Sequence, residues 1–78
     1  MKAPVDHSCC YSFEALFLAA HGRAMNDADR RQLQEANQPA RNRMARQWVA
    51  RTAGVFTCQD RRGTDGVMYT AFWAVDRA

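Results

Sequence analysis

Pro39-Ala40-Arg41-Asn42-Arg43-Met44-Ala45-Arg46-Gln47-Trp48-Val49-Ala50-Arg51, followed beyond Ala53-Gly54 by Val55-Phe56-Thr57-Cys58-Gln59, is the stretch that decides the fold of this chain. In its first part Ala40, Met44, Ala45, Trp48 and Val49 recur at helical spacing, while Arg41, Asn42, Arg43, Arg46 and Gln47 fall mostly off that stripe. The pattern predicts an amphipathic helix with a cationic outer face. Pro39 suits its first position, because a proline lacks the N–H that would have no partner there and its φ is already near the helical value. Past Gly54, which should end the helix, the period changes. Val55–Gln59 and Val67–Trp73 are rich in β-branched and aromatic residues and flank Asp60-Arg61-Arg62-Gly63-Thr64-Asp65-Gly66, a turn-forming run. A hairpin is expected directly after the helix, with Asp60 and Asp65 serving its turn and Arg61 and Arg62 at its tip.

Upstream, two shorter helices are expected. Ser12 is placed to cap Phe13-Glu14-Ala15-Leu16-Phe17-Leu18-Ala19-Ala20, with Glu14 in the first turn and Gly22 closing it. This segment is apolar nearly all round, which suits a central position or one shared with a second subunit. Asn26 caps the next helix, which carries Asp27 and Asp29 in its first turn and has a thin apolar face of Ala28, Leu33 and Ala36. Asn37-Gln38-Pro39 breaks it, because a residue before proline is steered out of the helical region. Residues 1–11 lack periodicity and read as an N-terminal arm, leaving 12–78 as a single domain. The fold class is therefore α+β, with three helices followed by a β-hairpin.

At 78 residues the chain is one small domain, a size that buries a modest share of its surface and favours a homodimer. Four Phe, two Trp and two Tyr suffice for a core, which excludes a disordered tail. The three cysteines and the lack of a long apolar run point to a reducing cytoplasm and no membrane segment. The net charge of +3 is unevenly placed. Residues 1–36 sum to minus one, residues 37–63 to plus five, and the tail to minus one, so the surplus belongs to the third helix and the hairpin tip. Ten of the eleven basic residues are Arg, whose planar fork suits phosphate and the guanine edge.

Two helices, a short turn, an arginine-bearing helix and a hairpin is the element order of the winged helix-turn-helix domain, which the chain resembles from about Ser12 to Val75. The resemblance lies in element order and charge placement. The turn Asn37-Gln38-Pro39 lacks the glycine common in such domains, and no short strand is evident between the first two helices. The resemblance implies a transcriptional regulator that places the third helix in the major groove of double-stranded DNA and the hairpin, or wing, on the backbone or minor groove. By position, Arg41, Asn42, Arg43, Arg46 and Gln47 would read the groove, with Arg61 and Arg62 at the wing tip.

The second strand is apolar on both faces, so a surface including Leu18, Phe72 or Trp73 is expected to form the dimer interface. Catalysis has no support. His7-Ser8-Cys9-Cys10, His21 and Cys58 lack the paired spacing of a zinc site, no nucleophile stands with a base, and no Gly-rich phosphate loop is present. Neither a cofactor nor a metal is expected. The competing function class is a protein-binding inhibitor of the kind phages and mobile elements encode, such as an anti-CRISPR protein, using the same basic face against an acidic or nucleic-acid-binding protein.

Overall fold

The computed structural model describes residues 13–75, in the order α1 (Phe13–His21), α2 (Asp27–Glu35), α3 (Gln38–Arg51), β1 (Phe56–Arg62) and β2 (Met68–Ala74). The expected arm, the Ser12 cap and Cys9-Cys10 lie outside the described residues. The architecture is the expected α+β arrangement, three helices and then a two-stranded antiparallel hairpin.

Local chemistry sets each helix boundary. α1 stops where Gly22 takes a φ of 74° and its N–H returns to Leu18 O at 2.8 Å, a left-handed closure that glycine makes without strain. α2 starts in a reciprocal capping box: the Asp29 N–H donates to Asn26 Oδ1 at 2.8 Å, and the Asn26 N–H donates to Asp29 Oδ2 at 3.0 Å. α3 begins one residue earlier than Pro39 suggests. Asn37 accepts the Ala40 N–H at 3.0 Å and so fixes the start at Gln38, which puts Pro39 second in the first turn, where its missing N–H still costs nothing.

The core forms where α1 and α3 meet the hairpin. Leu16, Ala45, Phe56 and Phe72 are buried together, with Phe13, Trp48, Val49 and Cys58 packed around them. Aromatic edges dominate: Trp48 stands at 85° to Phe17 and 84° to Phe13, and His21 stacks on Phe17 at 4.0 Å. Phe72 is only 3% exposed, which corrects its expected place on a dimer surface. Its side chain is consumed by the chain's own core, while Leu18 is 51% exposed and Trp73 half-buried. α2 buries no residue of its own.

Between α3 and β1 the chain turns through Ala53 (φ 55°) and Gly54 (φ 93°). Buried Thr52 locks this corner: its Oγ1 donates to Val49 O at 2.7 Å and accepts the Phe56 N–H at 3.1 Å. The strands pair from Phe56↔Ala74 to Arg62↔Met68. Asp60, Arg61 and Arg62 are thus strand residues and not part of the turn. The turn is residues 63–67, closed by Gly63 N–H to Val67 O at 2.9 Å and by Asp65 Oδ1, which accepts the Val67 N–H at 3.0 Å. Asp65 serves the turn as expected. Asp60 does not, because its carboxylate meets Thr70 across the ladder.

Alternation assigns the sheet faces. Phe56, Cys58, Asp60 and Arg62 share one with Met68, Thr70, Phe72 and Ala74, and α3 lies against it. Thr57, Gln59, Arg61, Tyr69, Ala71 and Trp73 occupy the other.

Candidate nucleic-acid interface

The seven residues picked from sequence divide into groups with different work. Arg43 and Gln47, one helical turn apart, are exposed on the outer face of α3. Neither has a side-chain hydrogen bond or ion pair to another described residue. Arg46 lies on the flank toward the hairpin, half-exposed, with its Nη1 3.2 Å from Thr70 Oγ1 and 3.4 Å from Asp60 Oδ1. Arg62 is exposed near the end of β1, on the sheet face that α3 covers.

Arg41 and Asn42, expected on the groove-facing surface, are half-buried and bonded to neighbouring elements. Arg41 donates from Nε to Leu33 O at 3.2 Å, a carbonyl that also accepts the Ala36 N–H, and from Nη2 to Gln34 O at 3.5 Å, tying α3 to the end of α2. Asn42 bridges helix to hairpin: Nδ2 donates to Met68 O at 3.1 Å, and Oδ1 accepts the Thr70 N–H at 3.0 Å and the Gln38 amide at 2.9 Å. The cause is helical phase. Both residues border the buried stripe centred on Ala45 and Val49, so their side chains meet neighbouring elements before they meet solvent. Arg61 projects from the opposite sheet face, its guanidinium 5.6 Å from the Trp73 ring. Arg51 reaches Ala20 O at 3.5 Å, at the end of α1. The cationic surface is therefore narrower than the charge count implies.

Its charge is nevertheless exposed to solvent. The guanidinium groups of Arg23, between α1 and α2, and of Arg30 on α2 are paired with Asp29, Glu14 and Asp27 at 2.9–3.2 Å. Hydrogen bonding from Arg23 and the Asn26 N–H holds the Asp29 carboxyl below its ordinary range, and the Glu14 carboxylate raises Arg30. Among the described residues, Arg46 is the only α3 arginine with a carboxylate partner. Burial, then the Asp60 charge, pushes the Cys58 thiol up, so it stays protonated at neutral pH.

The bonded chain Gln38–Asn42–Thr70–Asp60–Arg46 was not evident from sequence. Its one signal was Thr70, a hydroxyl inside an otherwise apolar strand. A recess of about 440 Å³ opens between α2 and β2, walled by Phe13, Met25, Leu33, Tyr69 and Phe72. Glu14, Arg30, Gln38, Arg41 and Asn42 on its rim are engaged in the bonds described above. Among the described residues no three His, Cys, Asp or Glu side chains are grouped to hold a metal ion, and no helix is long and apolar enough to cross a membrane. Comparison with protein-family models, curated proteins and solved structures gives no match to this chain.

Proposed function

We propose that this chain is a small duplex-DNA-binding protein of the winged-helix type, acting as a transcriptional regulator. α3 enters the major groove by its outer face, with Arg43 and Gln47 leading and Arg46 beside them, and Arg62 on the hairpin meets the phosphate backbone. The observation that carries the reading is the exposed pair Arg43 and Gln47, which has no side-chain partner among the described residues, in a helix whose neighbouring arginines do structural work. A helix of 14 residues is about 20 Å long and fits a major groove about 12 Å wide, where Arg reads guanine and an amide reads adenine.

Mobility shift on a mixed-sequence duplex at two salt concentrations tests the proposal. The intact chain is expected to shift the duplex at low salt, with binding weakened at higher salt, and Arg43→Ala and Gln47→Ala to weaken it without lowering the melting temperature. An intact chain that leaves duplex DNA unshifted while co-purifying with a protein would instead favour an inhibitor working through the same face.

A further inference from the structure

Arg46 is held by two hairpin side chains at once. Its Nη1 donates to Thr70 Oγ1 at 3.2 Å and to Asp60 Oδ1 at 3.4 Å, and the Thr70 hydroxyl itself donates to the same Asp60 oxygen at 2.9 Å. Thr70 is 6% exposed, and its backbone N–H is fixed by Asn42 one helical turn before Arg46. One end of the guanidinium is thus held by the buried Thr70 hydroxyl and the half-exposed Asp60 carboxylate. Half of the side chain remains exposed, and no described residue takes the Nε–H or Nη2 donors.

This arrangement has a particular use beside DNA. A carboxylate close to phosphates lowers affinity for any duplex, so as a general binding device Asp60 is counterproductive. Bidentate reading of guanine O6 and N7 by Arg, however, needs a guanidinium plane set in advance, since a flexible arginine settles equally well on phosphate. An oxygen that fixes Nη1 supplies that orientation. Resting on the duplex-binding reading above, we propose that Asp60, with Thr70, is the positioning residue that makes Arg46 a guanine reader, and that the preferred duplex carries a guanine opposite Arg46. The hairpin then acts on base recognition through the helix as well as on the backbone.

Selection from a random-sequence duplex pool tests this, using the intact chain, Asp60→Asn, Arg46→Lys and Thr70→Ser. The intact chain is expected to enrich a motif with a guanine preferred roughly tenfold or more at one position. Arg46→Lys keeps the charge but lacks the fork, and should lose that preference while retaining its salt dependence. Asp60→Asn should bind bulk duplex as tightly or more tightly and still lose it, whereas Thr70→Ser, which keeps the hydroxyl, should retain it. Melting curves confirm that each variant is folded. Stronger binding by Asp60→Asn with the guanine preference intact would mean that Asp60 only offsets charge, and would overturn the proposal, as would an intact chain that binds duplex with no base preference. Failure of the intact chain to bind any duplex would instead bring down the DNA-binding reading itself.

Discussion

Asn42 and Gln47 carry the same amide group on the same helix, and the fold puts them to opposite uses. Asn42 is half-buried and bonded to Gln38, Met68 and Thr70, whereas Gln47 faces solvent. Asn42→Ala should therefore cost about 1–3 kcal/mol in chemical denaturation, because it strands the buried Thr70 N–H. Gln47→Ala should change stability by less than about 0.5 kcal/mol and register only in DNA affinity. Equal costs for the two would contradict this division. Asp29 gives α2 one source of pH dependence. Its folded carboxyl titrates below the unfolded one, so the stability it contributes is fully present above the ordinary Asp range and is lost as pH falls through that range to the folded value. Melting curves of the intact chain and Asp29→Asn should differ at neutral pH and converge in strong acid. A gap that stays constant across that window would remove Asp29 from the account.

The elements were legible in the sequence to different depths. The start of α2 was readable because capping chemistry is local, Asn26 acting on Asp29 within three residues, whereas Pro39 marked the start of α3 only to within a residue, since the Asn37 cap places it at Gln38. The hairpin was readable from its change of period, but its turn was drawn too long. Asp60, Arg61 and Arg62 look like turn residues by type, yet cross-strand pairing with Thr70, Tyr69 and Met68 holds them extended. That contest is settled by tertiary contact, which local composition does not encode. α2 shows the reverse. Its thin apolar face was visible in the sequence, and the structure gives it no buried residue, leaving caps, the ion pairs Arg30–Glu14 and Arg23–Asp29, and the Arg41 bonds to hold it. Amide hydrogen exchange should accordingly open α2 before α1 and α3. Protection in α2 equal to that in the Ala45–Val49 segment would show that α2 is packed more firmly than its burial implies.

Across the whole molecule, charge is segregated by element. Arg23 and Arg30 are paired with carboxylates on α1 and α2, while α3 and the hairpin keep a surplus. That segregation could be counted in the sequence. Which arginines face outward could not, since it depends on contacts spanning long separations, such as Asn42 with Thr70 and Arg46 with Asp60. On the proposed reading the DNA-facing surface is smaller, Arg43, Arg46, Gln47 and Arg62, while Arg41 and Arg51 bond to neighbouring helices. The most direct measurement is the affinity for duplex DNA across a salt series, comparing the intact chain with Arg43→Ala, Arg62→Ala and Arg41→Ala. Log affinity should fall linearly with log salt, Arg62→Ala should make the slope shallower by about 0.9, the amount that neutralising a single phosphate contributes, and Arg41→Ala should lower the melting temperature with the slope unchanged. An affinity for duplex that does not respond to salt, or that survives removal of Arg43 and Arg62 together, would contradict the account.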